Sequence, residues 1–483
     1  MIFLYGLDQR NWKRWHSLAA QCQRRLTQQQ ISPEDPGTIL KDVNTLLEFV
    51  GPGGVATRSR NASLPGEVLP ELNAKAGHPI QLSLKRPLLR DYPNLAGIFV
   101  LLRVMDLLQM KGNRLAVCPA AGDLWRGMNF TEQYFALLEA LLFQAQSAVL
   151  GGAPNRREEP QAFQTATVFL GQLSERWREI DFYDSVRVLG PQGELPLWHL
   201  FAQQQLGLIE IRPRKFIERE RRDWGGRGWL VGAARLTPWG TAVTWALLDI
   251  LKKAADEEES EYDQANPEAD EPGGDDMALP LFAAGAGEKR DRSAPPGSDD
   301  EEAEPEDEPA ESKPAAEFGM LRPAFHPYFP EWQNIYARPG RETKRGTHIF
   351  KVTLAGWQGG GGGIWRRLAV PPDLSLDGLA GAILHAFKFD DDHLYDFRYR
   401  DQRGRQRVYN HPYTDEGPFT PEIAVQDTGL ALKDPMLFTF DYGDNWEFEV
   451  RLEQVEAEPC RQRRAKVIAS AGKALAQYPS FEE

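Results

Sequence analysis

Over residues 1–50 the apolar positions Trp12, Trp15, Leu18, Ala19, Cys22 and Leu26 recur at three- and four-residue intervals among Arg and Gln, which predicts helix. Gly51-Pro52-Gly53-Gly54 ends that pattern. Helical spacing resumes at Leu101, Leu102, Met105 and Leu108, so a helix is expected over 95–110, then a short strand over 114–118 and a helix over 132–149. A similar plan follows: a helix over 195–206 ended by Gly207, a strand over 208–212, a charged excursion, a strand over 229–236 and a helix over 241–251. Thr237 before Pro238 is a cap followed by a proline suited to a first helical position. Helix, strand, hairpin, strand is the plan of a winged-helix unit, and two such units are expected, at about 60–150 and 165–253.

From His348 onward the period falls to two. Phe350, Val352 and Leu354 alternate with Lys351 and Thr353, and a second strand over 364–370 closes at Pro371-Pro372. Ser375 stands before a helix over 376–387 with apolar Leu376, Leu379, Ile383, Leu384 and Phe387. Alternation returns over 394–400, 437–440 and 446–452. This order predicts an α+β sandwich whose sheet is mostly antiparallel, with helices on one face.

Charge divides the 483 residues more sharply than hydropathy does. The net charge is −14, yet residues 254–317 alone hold 23 Asp and Glu against 4 Lys and Arg. With almost no aromatics, that stretch cannot bury enough apolar surface to offset chain entropy, and a disordered acidic linker is expected. A multidomain chain follows: a mostly α module over 1–253, the linker over 254–317 and the α+β domain over 318–483. One apolar island, Met277–Phe282, interrupts the linker and looks like the Leu-Pro-Leu-Phe ending of bacterial sliding-clamp-binding peptides. Leu279, Leu281 and Phe282 are therefore a candidate docking peptide.

Residues 1–253 carry 31 bases and 24 acids, which admits nucleic acid as a partner of that module. Arg212, Arg214, Lys215, Arg221, Arg222 and Arg227 lie in the charged excursion, where a wing lays cations along phosphates. A solvated loop whose charges pair among themselves is the other reading. No apolar run approaches the roughly 20 residues that cross a bilayer, and Met1–Tyr5 is too short for a signal-peptide core, so no membrane and a cytoplasmic location are expected. Cys22, Cys118 and Cys460 stand singly, with no C-x-x-C pair, so neither a disulfide framework nor a cysteine zinc site is indicated.

The candidate chemistry gathers near the C-terminus. Asp392-His393-Leu394-Tyr395-Asp396-Phe397 and Phe440-Asp441-Tyr442-Gly443-Asp444-Asn445-Trp446 are dense in carboxylates, aromatics and one histidine. With Ile364-Trp365-Arg366-Arg367 they occur in an order and spacing that resembles the plasmid pRiA4b ORF-3-like family. The resemblance covers about the last third of the chain. It implies a fold and an association with plasmids and insertion elements, and no reaction or cofactor.

Read from the residues, Asp392, His393, Asp396, Asp441 and Asp444 suit either a ligand or partner site, with a metal ion an open question, or plain structure. In the structural reading, Asp441–Asp444 is a tight turn with Gly443 at positive φ, and His393 caps a helix or bonds a buried carbonyl. Arg366 and Arg367 point to opposite strand faces, so at most one meets the carboxylates. No Walker loop, H-E-x-x-H or G-x-S-x-G is present. A non-enzymatic adaptor or nucleic-acid-associated protein is the first expectation, and a metal-dependent enzyme built on Asp441, Asp444 and His393 is the alternative.

Overall fold

The computed structural model describes residues 9–57, 63–82, 84, 86–111, 113–150, 162–180, 195–214, 230–265, 318–339, 346–356, 363–401, 403–414, 417–430, 432–460 and 462–478. Their buried apolar side chains form two separate cores, one for each of two bodies.

The first body opens with α1 (Gln9–Ser17) and α2 (Ala19–Gln28). Then come α3 (Ile39–Val50), β1 (Val55–Ala56), α4 (Leu69–Lys75), α5 (Pro93–Val104) and the hairpin β2 (Leu108–Lys111) and β3 (Arg114–Val117). The sheet order is β1-β3-β2, so the early strand lies along the second arm of the hairpin. After α6 (Pro119–Gly127) and α7 (Phe130–Glu139) the plan returns with α8 (Ala162–Gln172), β4 (Arg178–Glu179), α9 (Leu197–Gln205), β5 (Ile209–Arg214) and β6 (Leu230–Leu236). That second sheet has the order β4-β6-β5, the same arrangement as the first.

Helix α5 is shorter than its apolar spacing predicts. Asp106 takes a left-handed conformation, φ 60°, and turns the chain so that Leu108 pairs with Val117 in a strand. Helix α7 stops at Glu139 and passes through a π turn, Ala140–Gln144, where one long helix was expected. Every residue of α5 from Pro93 to Val104 is buried, largely against α9. A Cβ on Gly97 would stand 2.8 Å from the Trp198 carbonyl oxygen, so only glycine lets the two helices approach this closely.

Helix α10 (Pro238–Ala265) starts as expected, with the Gly240 N–H donating to Thr237 Oγ1 at 2.8 Å. It runs on through the first part of the acidic stretch, which corrects the expectation of disorder over residues 254–265. Ala, Glu and Lys are strong helix formers, and at the start of an acidic run they extend a helix already nucleated upstream. Residues 266–317, with Leu279, Leu281 and Phe282, lie outside the described residues.

A second correction concerns the expected domain start at residue 318. Phe318, Leu321, Phe325, Phe329, Trp332 and Tyr336, around α11 (Arg322–Phe325), belong to the first core. Trp332 stacks on Phe135 with ring centroids 4.4 Å apart. Glu139 accepts the N–H groups of Gly319 and Leu321, and Glu132 Oε1 accepts those of Gln333 and Asn334. The acidic stretch is therefore an insertion within the first body.

The second body is a seven-stranded sheet of β7 (Gly346–Gly356), β8 (Trp365–Val370), β9 (Tyr395–Arg400), β10 (Gln406–Asn410), β11 (Pro435–Phe440), β12 (Trp446–Pro459) and β13 (Lys466–Ala471). Its order is β10-β9-β11-β12-β7-β8-β13, antiparallel throughout. Helix α12 (Leu376–Phe387) covers one face with Leu376, Leu379, Ile383, Leu384 and Phe387, and Ser375 Oγ caps it by accepting the Gly378 N–H at 3.1 Å. Phe438 sits opposite both Phe397 and Phe448 in the register, which puts three aromatic rings under the helix. The sequence had not marked β10 or β13.

The two bodies touch through polar groups at the turn joining β9 to β10. Arg403 forms a two-pronged ion pair with Asp106, at 3.0 and 2.9 Å from Nε and 2.8 Å from Nη2. Arg400 donates to the Ala148 carbonyl, Arg405 to Gln144 and the Gln406 N–H to Gln146. Gly404, φ 87°, closes the turn, and a Cβ there would stand 3.2 Å from Val149 Cα.

Candidate functional site

The acidic and aromatic motifs meet at one end of the second body, where α12, β9 and the β11–β12 turn come together. The turn is built on Asp441. Its backbone is left-handed at φ 55°, and its Oδ1 accepts the N–H groups of Gly443 at 2.9 Å and Asp444 at 3.3 Å. Asn445 is also left-handed, at φ 53°, and its N–H reaches the Asp441 carbonyl at 2.6 Å. The positive φ angles thus fall on Asp441 and Asn445, where Gly443 had been expected. Asp and Asn tolerate that region because their short side chains bond the local backbone.

His393 stands between two carboxylates, with Nε2 3.6 Å from Asp441 Oδ2 and 3.9 Å from Asp392 Oδ2. It caps no helix; the chain leaves α12 through Lys388, which is left-handed at φ 65°. Asp392 is held from the C-terminal tail: Gln477 Nε2 donates to its Oδ1 at 2.9 Å and the Tyr478 hydroxyl to its Oδ2 at 2.5 Å. The phenol and amide hold the Asp392 carboxyl below the usual range, and the same bond pushes the Tyr478 hydroxyl up to about 12. Burial pushes the neighbouring Asp391 carboxyl up.

Two expected members stand apart. Asp396 is fully buried on β9 and pairs with Arg398, at 2.8 and 2.9 Å, and with the phenol of Tyr442. Among the described residues, Arg366 meets no carboxylate. It donates to the carbonyls of Ala386, Trp365, Ala471 and Gly472, pinning the tail against the end of α12. Arg367, on the other strand face, pairs with Glu453 at 2.7 Å. Asp444 is exposed and contributes its backbone N–H to the turn.

Residues 347–477 match the plasmid pRiA4b ORF-3-like protein family. The match takes in all three motifs and Gln477, and leaves the first body outside it. Among solved structures, a protein of unknown function, MM3350 from Methanosarcina mazei Go1, is 25% identical over 28% of this chain and 75% of that one, with a TM-score of 0.25. No curated protein matches.

Within the second body, Gln477 and Tyr478 are the members of the cluster that residue type did not reveal. Gln477 ties the chain just after α12 twice, accepting the Asp390 N–H at 2.6 Å while it donates to Asp392. Trp446 and Tyr395 are buried, while Trp365 is half-buried under the Lys351 ammonium. Among the described residues, no group of three or more His, Cys, Asp or Glu is placed to hold a metal ion. None of the described helices is long and apolar enough to cross a membrane.

In the first body, Lys215, Arg221, Arg222 and Arg227 lie outside the described residues. Arg212 is exposed on β5, with its guanidinium 3.9 Å from the centroid of the Trp177 ring, and Arg214 runs beside Gly232 on the same hairpin.

The Tyr478 bond carries a prediction. Tyr478→Phe removes the largest influence holding Asp392 down, so its carboxyl should titrate closer to about 3.9. Carboxyl NMR titration of the full chain measures this, and an unmoved Asp392 would contradict the bond.

Proposed function

We propose that the chain is a non-enzymatic adaptor of plasmid type, whose first body pairs two winged-helix units and whose second offers a surface to a protein partner. The packing of α5 on α9 carries this reading. By their place before each hairpin, these are the helices a winged-helix protein lays in the major groove. Here α5 is buried along its length, and Gly97 lies against α9 backbone. Neither helix can enter a groove while the units stay joined. Such a pair suits protein docking, and contact with nucleic acid falls to the β5–β6 hairpin with Arg212 and Arg214. Those cations meet phosphates and carry no base preference.

On the second body, exposed Tyr478 bonds exposed Asp392 next to exposed Asp391, and exposed Tyr442 and Asp444 share the neighbouring turn, a surface suited to a cationic protein segment. The metal-enzyme alternative has less support, because Asp441 uses one oxygen to hold its own turn.

Titrating the full-length protein with unrelated duplexes at rising salt tests the reading. All should bind alike, and Arg212→Glu with Arg214→Glu should lower the salt slope by about 2. Strong preference for one duplex would overturn it.

A further inference from the structure

Strand β13 ends the seven-strand order, and β8 pairs with one of its edges. Among the described residues no strand pairs with the other edge, so alternate N–H and C=O groups along Lys466–Ala471 face outward for a further strand. Val467 and Ile468 are 41% and 48% exposed there. The opposite edge of the sheet is covered: the Gln406 N–H of β10 donates to Gln146, and Asn410 bridges to Phe419.

The open edge is cationic. Lys466 begins it, Arg463 and Arg464 precede it and Lys473 follows it, all exposed. Exposed Glu456 and Glu458 belong to β12, three strands away in the sheet order. A lysine and a bulge, here between Val467 and Ala469, keep an apolar or cationic strand from adding to an edge. An acidic strand meets opposite charges instead.

The sequence holds a segment of that charge. Residues 299–311 carry nine Asp and Glu and no Lys or Arg. Within them, residues 304–309 match the six residues of β13 in number. Pro305 and Pro309 are four residues apart, so in an extended strand both would face one edge while Glu304, Glu306 and Glu308 turn their N–H groups to the other.

Tether length decides whose edge receives the segment. Nine steps along the chain lead from Pro309 to Phe318, a reach of about 32 Å at full stretch. Phe318 lies on the β10 side: the Arg338 guanidinium is 5.1 Å from its ring centroid and shares Gln144 with Arg405, the residue before β10. From β10 to β13 is six strand spacings, about 29 Å more. With that side-chain relay added, residues 304–309 cannot seat on β13 of their own chain, and a second copy imposes no such limit.

We propose that β13 pairs with residues 304–309 of a second copy, so that the acidic stretch of one chain joins the sheet edge of the next. Outward backbone groups beside apolar Val467 and Ile468 suit a peptide strand over nucleic acid, which has no backbone ladder to match them.

Light scattering and hydrogen exchange on the full-length protein at rising concentration test this. Wild type should self-associate, with the outward amides of β13 exchanging at least tenfold more slowly when associated and those of β7 unchanged. Neutralising all nine acids of 299–311, Asp to Asn and Glu to Gln, should weaken association at least tenfold, as should Arg464→Glu with Lys466→Glu. Mixing the two variants should restore association, since one keeps the edge and the other the segment. A monomer at every concentration, variants that associate like wild type, or a mixture that stays monomeric overturns the proposal. So does β13 protection that is independent of concentration, the mark of a segment from the same chain. Stronger protection of β13 in the acid-neutral variant by a DNA duplex than by a 299–311 peptide overturns it as well.

Discussion

Asp401→Ala is expected to cost about 3–5 kcal/mol, because it leaves a buried guanidinium without its counter-charge. Asp401 and Arg405 are 5% and 3% exposed, so solvent screens their interaction little. The substitution also strips acceptors from two backbone N–H groups of the β9–β10 turn and one from Arg407. Asp401→Asn should cost less, since one oxygen remains to hold the turn. The pair of variants separates charge from hydrogen bonding, read by denaturant unfolding. A loss below about 1 kcal/mol in Asp401→Ala would place the residue with exposed ion pairs.

The same residue gives the acid limb a sign. Burial alone would raise the Asp401 carboxyl, but Arg405, Arg407 and Arg403 outweigh it and hold the group below its usual range. Its folded value lies below its unfolded one, so the stabilisation is fully present above about pH 4 and is lost as pH falls through the folded value. Asp401→Asn should flatten that part of the stability profile. An acid limb identical to wild type would show that other carboxylates govern it.

What the sequence made legible was local. Helix α12 was read to its true ends because Ser375, its apolar stripe and the following chain all agree within one element. Helix α5 was read too long because Leu101, Leu102, Met105 and Leu108 keep helical spacing, and nothing in residue type announces that Asp106 turns left-handed. The candidate site was half legible. Asp392, His393 and Asp441 do converge, since their motifs flank adjacent strands β9 and β11. Gln477 and Tyr478 arrive from more than 80 residues away in sequence, and such a contact leaves no periodic trace. Arg366 carried the right chemistry for a carboxylate, yet the fold turned it to carbonyls, a choice set by tertiary geometry.

The domain boundary failed for a related reason and supplies the second large prediction. A composition shift at residue 318 marks where acidity ends, and says nothing of which core receives the chain that follows. Trp332 decides it: the ring is 1% exposed, stacked on Phe135 of α7, and its indole N–H donates to the Asn334 carbonyl at 3.1 Å. Trp332→Ala should cost about 3–5 kcal/mol, as removal of a buried aromatic does. That loss belongs to the first body. Hydrogen exchange should quicken in α5 and α7, whose residues share the core with Trp332, while β7 and β12 keep their protection. If β7 and β12 lost protection and α5 held, Phe318–Tyr336 would belong to the sheet domain, and the acidic stretch would again be a linker between bodies. The insertion reading also holds that a chain ended at residue 317 lacks the partners of Glu132 and Glu139, two carboxylates buried in α7. Without those N–H donors both buried side chains lose hydrogen-bond partners, so such a fragment should unfold more readily than the whole chain even though all its helices up to α10 are present.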